Sequence, residues 1–147
     1  MFDRIVVGTD GSETATEAVK TAIELAKLSK GKLEIVSAYA PIPQDRLKQE
    51  VEGISGDVSH VVNPREDVQF ILDNAAAEAK KAKVDVVTHP LEGDPADAIL
   101  DVAEENGADL VLIGNKGMTG ARRFLLGSVP NKISHHAPCD VWIVKTT

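Results

Sequence analysis

Short apolar runs alternate along this chain with longer segments in which apolar residues recur every three or four positions. The short runs are rich in β-branched residues and predict buried strands at 5–7, 32–39, 84–89, 109–113 and 140–145. The longer segments have the spacing of amphipathic helices and predict helices over 15–26, 68–82 and 96–103, with a short fourth helix after residue 127.

Turn-forming residues bound these elements. Ser12 is suited to cap the first helix, and Gly31 is suited to end it. Pro90 is expected to stop the third strand. Residues 44–64 are polar and show no sustained period, so they predict a loop with at most one short helix.

The order of elements, β-α-β-α-β-α-β-α-β, predicts the fold class. Strands that are apolar throughout and alternate with amphipathic helices favour a parallel sheet covered on both faces. We therefore expect an α/β, doubly wound, five-stranded sandwich whose ligand lies beyond the carboxyl ends of the strands. No internal repeat or linker interrupts the pattern, so residues 1–147 are expected to form a single domain.

Charge and composition exclude several classes of function. Acidic residues number 23 and basic residues 16, giving a net charge of −7, and aromatic residues make up 3% of the chain. Such a chain is a poor match for a protein that coats nucleic acid or an anionic membrane. The single cysteine, Cys139, excludes an internal disulfide framework. We expect a cytoplasmic protein with no nucleic-acid or membrane partner.

Two segments at predicted strand ends have residues suited to ligand chemistry. Gly8-Thr9-Asp10-Gly11-Ser12 follows the first strand, and the spaced pattern Gly114-x2-Gly117-x9-Gly127-Ser128 follows the fourth. Glycine lets backbone amides approach an anion closely, and a helix that opens at Gly127-Ser128 adds unpaired donors. Three basic residues lie in the second segment: Lys116, Arg122 and Arg123. The segment predicts a phosphate-binding loop, and the alternative is that its glycines only form turns.

The second segment, continued by Val129 and by His136-Ala137-Pro138-Cys139, resembles the ATP-binding signature of the universal stress protein family. The opening run from Ile5 to Ser12 and the triplet Gly93-Asp94-Pro95 are also similar to that family. The resemblance implies a Rossmann-like sheet of the adenine-nucleotide alpha-hydrolase type with strand order 3-2-1-4-5. It also implies a cytosolic regulatory module of the stress response.

The resemblance further implies the parts of an adenine-nucleotide site. The adenosine would lie against Gly8, Thr9, Asp10 and Ala38, with Ala38 in the adenine pocket. The ribose and phosphates would contact Gly114, Asn115, Gly117, Gly127, Ser128 and Val129. Asp94 and Asp97 add negative charge near the expected mouth of this site. The implied ligand is ATP, with Mg²⁺ as an optional companion, or another adenine nucleotide such as cyclic AMP.

Binding is favoured over catalysis. The strand-one loop lacks the Ser-Gly-Gly-x-Asp-Ser pattern that adenylate-forming relatives of this fold use, and the chain has no Walker-type loop. No general base is evident, so no catalytic residue is predicted, and at most slow ATP hydrolysis is expected. A phospho-acceptor domain is excluded because its aspartate is missing from the end of the third strand, Val87-Thr88-His89-Pro90.

Other charged and polar residues suggest ordinary surface roles. His135 and His136 are expected at a helix end, and the other two histidines are distant in sequence, so no metal site is predicted. Lys80, Lys81 and Lys83 are interpreted as a solvated helix end.

The last predicted strand indicates how copies of the chain assemble. Val141 to Val144 contain neither proline nor charge, and both faces of this strand are apolar. An open edge of this kind needs a cover or a partner strand. We expect a homodimer through Val141–Val144, which is also what the resemblance implies.

Overall fold

The computed structural model describes residues 2–40, 64–115 and 127–146, and its described strands form one parallel sheet. The strands are β1 (Arg4–Gly8), β2 (Lys32–Tyr39), β3 (Val86–Glu92), β4 (Leu110–Gly114) and β5 (Asp140–Val144). Their order across the sheet is β3-β2-β1-β4-β5, and every neighbouring pair is parallel. The expected five-stranded parallel sheet and its strand order are confirmed.

Helices connect the strands. They are α1 (Glu13–Ser29), α2 (Pro64–Lys81), α3 (Pro95–Glu105) and α4 (Ser128–His136). Ser12 caps α1 as expected, because its Oγ accepts a hydrogen bond from the Ala15 amide at 3.2 Å. Residues 44–63 of the predicted loop lie outside the described residues, and Pro64 is the first residue of α2.

The sheet has a hydrophobic core on each face. Successive side chains of a strand point to opposite faces, so Ile5 and Val7 pack with α1 and α2, whereas Val6 packs with α3 and α4. The same alternation places Leu112 on the first face and Val111 on the second. Apolar residues on both faces of each inner strand explain why the strands read as continuous apolar runs.

The third strand differs from its predicted bounds. It spans Val86–Glu92, and Pro90 lies inside it instead of ending it. The strand is at one edge of the described sheet, and the Leu33 amide donates to the Asp85 carbonyl. Because backbone groups alternate along a strand, Pro90 falls at a position that faces away from β2. Proline therefore removes no hydrogen bond from the sheet, which is why an edge strand tolerates it.

The end of α1 also differs from the prediction. Lys30, and not Gly31, adopts the left-handed conformation that ends the helix, with φ of 58°. Gly31 is needed for a different reason: a Cβ atom there would lie 2.4 Å from the backbone oxygen of Phe2. This glycine therefore serves a tertiary contact, and its amide also helps to end α1 by donating to the Ala26 carbonyl at 3.1 Å.

The opposite edge of the sheet is β5. The Asn115 amide donates to the Val144 carbonyl, so Val144 faces β4 and the backbone groups of Val141 and Ile143 point away from the sheet. The side chain of Trp142 is also open to solvent at this edge, with 45% of its surface exposed.

An ionisable pair lies on the α3 side of the sheet. Glu34 in β2 is only 3% exposed, and its Oε1 lies 3.1 Å from Nε2 of His89 in β3. A carboxylate buried to this extent is costly without a partner. The edge strand supplies that partner through His89.

Candidate functional site

A cleft opens at the carboxyl ends of β1 and β4. The chain leaves these neighbouring strands toward opposite faces, since β1 leads to α1 and β4 leads to α4. Clefts at such switch points are the usual ligand sites of open α/β sheets. The lining residues are Gly8, Thr9, Asp10, Ala15, Val36, Ala38, Pro95, Ile99, Ile113, Gly114, Val129 and Pro130.

The floor of the cleft depends on a glycine. A Cβ atom on Gly8 would lie 2.3 Å from Cδ1 of Ile99 and 3.1 Å from Cδ1 of Ile113. Glycine at this position lets α3 pack directly against the end of β1. The two isoleucines and the nearby Val36 and Ala38 give the cleft apolar walls, which suit a flat, weakly polar ring.

The loop between β1 and α1 is held by its own side chains. The Gly11 amide donates to Thr9 Oγ1 at 3.1 Å, and the Ser12 amide donates to Asp10 Oδ1 at 2.9 Å. The Thr9 amide in turn donates to the carbonyl of Val36 at 2.9 Å. These bonds fix Thr9 and Asp10 at the polar rim of an otherwise apolar cleft.

The first turn of α4 presents two backbone donors. Gly127 is the N-cap residue, and Ser128 and Val129 are the first two helical residues. Pro130 has no amide hydrogen, and the Asn131 amide already donates to the Gly127 carbonyl. Within the described residues, the amides of Ser128 and Val129 have no hydrogen-bond acceptor, which makes them and the exposed Ser128 hydroxyl available to an anion.

Asn115 ties three parts of the chain together. Its backbone carbonyl accepts from the Gly127 amide at 3.1 Å, so the two ends of the glycine-spaced segment meet. Its side-chain oxygen accepts from the amide of Thr146 at 2.9 Å and from the Thr146 hydroxyl at 2.8 Å. The carbonyl oxygen of the Asn115 side chain is therefore used to anchor the residues that follow β5.

Lys132 balances the two carboxylates near the cleft. Its Nζ lies 2.8 Å from Asp97 Oδ1 and 3.6 Å from Asp94 Oδ2. The hydrogen bond with Asp97 is the main cause that raises the pKa of Lys132 above its ordinary value. The sequence predicted a negative mouth here, and Lys132 offsets much of that charge.

Comparison with known proteins identifies the family. A family model described as the universal stress protein family matches residues 1–145. The chain belongs to this family. The resemblance drawn from the glycine-spaced segment is therefore confirmed.

Individual proteins and solved structures also match nearly the whole chain. Universal stress protein Rv1636 of Mycobacterium tuberculosis is 38% identical over 147 residues, which cover 99% of this chain and 98% of that protein. The crystal structure of a universal stress protein in complex with cAMP is 35% identical, with a TM-score of 0.75 and coverage of 99% and 98%. The structure of hypothetical protein MJ0577 shares the fold, with a TM-score of 0.81 at 24% identity and coverage of 100% and 98%.

The fold of this universal stress protein brings most of the predicted site residues to one place. Those in the cleft lining are Gly8, Thr9, Asp10, Ala38, Gly114 and Val129. Gly127 and Ser128 open the helix that also contributes Val129, and Asn115 lies at the loop junction. Gly117 lies outside the described residues.

Sequence reasoning missed the residues that reach the cleft from other elements. Val36 comes from β2, Ile99 from α3 and Pro130 from α4. Lys132 lies one helical turn after Ser128, and that spacing is the signal by which the sequence could have revealed it. Within the described ranges, no three His, Cys, Asp or Glu side chains are grouped to hold a metal ion, and no helix is long and apolar enough to cross a membrane.

Proposed function

We propose that this universal stress protein binds an adenine nucleotide in the cleft at the ends of β1 and β4. It would act as a single-domain, cytoplasmic regulatory module of the stress response that depends on its nucleotide. The observation that carries the proposal is the meeting of both sequence-predicted segments, Gly8–Asp10 and Gly114 with Val129, around one apolar cleft.

The apolar part of the cleft suits the adenine ring. Its walls are Val36, Ala38, Ile99 and Ile113, and its volume is about 110 Å³. Ligand clefts commonly have volumes of roughly 300–1,000 Å³. The cleft therefore fits one ring system, with the ribose and phosphate outside it and the carboxylate of Asp10 at the rim for polar contact.

The start of α4 suits the phosphate. The amides of Ser128 and Val129, the Ser128 hydroxyl and the positive end of the helix dipole all favour an anion at this point. Two amides and one hydroxyl are sufficient for a single phosphate. Further phosphates would depend on residues 116–126, which carry Lys116, Arg122 and Arg123.

The ligand we propose is ATP, and cyclic AMP is the second candidate. ATP is supported by the basic residues Lys116, Arg122 and Arg123 in the segment after β4, and cyclic AMP by the donor set at α4 and by the related structure in complex with cAMP. Calorimetric titration of nucleotide-free protein with ATP, cyclic AMP and GTP tests both. A preference for either adenine ligand supports the proposal, whereas equal affinity for GTP or no binding of any nucleotide contradicts it.

Two substitutions test where the nucleotide binds. Among the described residues, a Cβ atom on Gly127 would meet only ordinary contacts, the nearest being Pro130 Cδ at 3.5 Å, so Gly127→Val should fold and yet obstruct the first turn of α4. Ser128→Ala should weaken nucleotide binding by about 1.5–3 kcal/mol, the usual value of a hydrogen bond to a charged group. Ser134→Ala is the matched control, because Ser134 lies later in α4 and bonds only to the Asn131 carbonyl among the described residues. Unchanged affinity in a folded Gly127→Val protein would exclude this site.

We propose binding without rapid turnover. Mg²⁺ would enter with the phosphates of ATP, and the described residues provide no cluster of ligands to hold it beforehand. A steady-state ATPase rate near the enzyme median of about 10 s⁻¹ would contradict this proposal, provided that the activity disappears in Gly127→Val.

We also propose a homodimer in which β5 pairs with β5 of a second copy across a two-fold axis. The outward backbone groups of Val141 and Ile143 and the exposed ring of Trp142 support this arrangement. Dilution should then shift the fluorescence of Trp142, the only tryptophan. A 15.7 kDa species in sedimentation at high concentration, with fluorescence independent of dilution, would exclude the dimer.

A further inference from the structure

A second groove lies at the amino ends of β2 and β3, at the opposite end of the sheet from the nucleotide cleft. It runs between the last turns of α1 and α2 and has a volume of about 530 Å³. Its floor is made of small apolar side chains, Ala26, Ala82 and Val84. Its sides carry four lysines, and we call it the lysine groove after them: Lys27, Lys30, Lys81 and Lys83.

The lysine groove is positively charged in a chain whose net charge is −7. The acidic residue in its lining is Asp85. Lys81 lies 3.4 Å from Glu78, but both side chains are more than half exposed, so this ion pair screens the charge only weakly. Among the described residues, the other three lysines have no ion-pair partner.

Helix stability explains only part of this cluster. Lysines in the last turn of a helix interact favourably with its dipole, and Lys27 and Lys81 occupy such positions. Lys30 and Lys83 instead follow the two helices in the left-handed conformation, with φ of 58° and 61°. Glycine is the favoured residue there, because a side chain strains the backbone in this region. The chain thus has a lysine at two positions where the backbone conformation favours glycine, and both lysines line the same groove.

We propose that the lysine groove binds a carboxylate-rich segment of a partner protein. Carboxylates complement the lysines at the rim, and the methylene groups of glutamate side chains can pack on the apolar floor of Ala26, Ala82 and Val84. A phosphate group has no apolar part to pack on that floor, and the described lining has no aromatic side chain on which a base could stack. The chemistry therefore favours an acidic peptide over nucleic acid or a lipid headgroup.

The double substitution Lys30→Gly with Lys83→Gly removes two positive charges from the lysine groove without destabilising the fold. Glycine suits both backbone conformations, so the melting temperature should stay the same or rise. The affinity for a fluorescein-labelled oligoglutamate peptide, measured by anisotropy at low salt, should fall about tenfold. The charge-preserving pair Lys30→Arg with Lys83→Arg should keep the affinity.

A matched control removes the same charge elsewhere. Lys20→Gln with Lys145→Gln alters two exposed lysines outside the lysine groove and should leave peptide binding within about twofold of the unaltered protein. The proposal is overturned if the unaltered protein does not bind the peptide at low salt, or if the glycine pair binds as well as the control pair. Tighter binding of a single-stranded oligonucleotide or of phosphatidylserine vesicles, lost in the glycine pair, would also overturn it, because the groove would then recognise phosphate.

Discussion

Replacing Gly8 by alanine tests how closely α3 packs on the end of β1. Gly8 has no left-handed φ, so by backbone entropy alone alanine would stabilise the protein by about 0.4–1 kcal/mol. The structure predicts the opposite sign. The added methyl group would lie 2.3 Å from Cδ1 of Ile99, a separation at which an atom must move. Overpacking of this kind costs about 1–3 kcal/mol, and we expect Gly8→Ala to fall in that range.

A second substitution shows whether this contact is the cause. Ile99→Val removes Cδ1, and the nearest atoms to the new methyl group then lie at 3.1 Å. Alone it should cost about 0.5–1.5 kcal/mol, as Ile→Val changes usually do. Combined with Gly8→Ala it should cost about 1 kcal/mol less than the sum of the single changes, because it makes room for the methyl group.

Urea unfolding followed by circular dichroism, at one fixed protomer concentration, measures all four proteins of the cycle. Ile133→Val is the matched control for Ile99→Val, and combined with Gly8→Ala it should give additive free energies. Ile133 is fully buried in the same core, but it is not among the nearest neighbours of a Cβ atom at Gly8. Additive free energies in the Gly8–Ile99 cycle, or a Gly8→Ala protein as stable as the unaltered one, would refute the packing argument.

Three further substitutions follow from the contacts of the fold. Gly31→Ala should destabilise the protein by about 1–3 kcal/mol, because the methyl group would press on the backbone oxygen of Phe2; an unchanged urea midpoint would count against that contact. His89→Ala should cost about 1–3 kcal/mol by leaving the buried Glu34 carboxylate without its partner, and adding Glu34→Gln should recover part of the loss in the same unfolding assay. Ile143→Lys should yield a folded monomer in sedimentation if β5 forms the dimer contact, and a dimer that survives this change would place the contact elsewhere.

The fold was predictable because the pattern of apolar residues within each segment indicates whether that segment is a strand or a helix. Each strand and helix has its own apolar period, and runs apolar on both faces indicate a sheet covered on both sides. Pro90 misled the prediction, because a single strand does not show whether it will lie at an edge. Gly31 does help to end α1, but the carbonyl group that demands a glycine there comes from Phe2, far away in the sequence, and no local pattern predicts that contact.

The candidate site was predictable only where it is continuous in sequence. The glycine spacing identified Gly114 and Gly127, and the fold joins them through Asn115. The apolar walls were not predictable, because Ile99 looks like any other buried residue of an amphipathic helix. The position of Ile99 over Gly8 depends on how α3 packs on the sheet, and the sequence of α3 alone does not predict that packing.

The two edges of the sheet bear on how many copies of the chain can join by the proposed strand pairing. Pro90 leaves an outward position of β3 without a donor, whereas Val141 and Ile143 of β5 keep both donor and acceptor. In the proposed dimer, strand pairing between copies is therefore expected to use β5 and not β3. A unit with one such edge closes after two copies, whereas a unit with two would grow into an extended sheet. A proline in β3 thus bears on the size of the proposed assembly, although it lies at the edge of the sheet opposite the proposed contact.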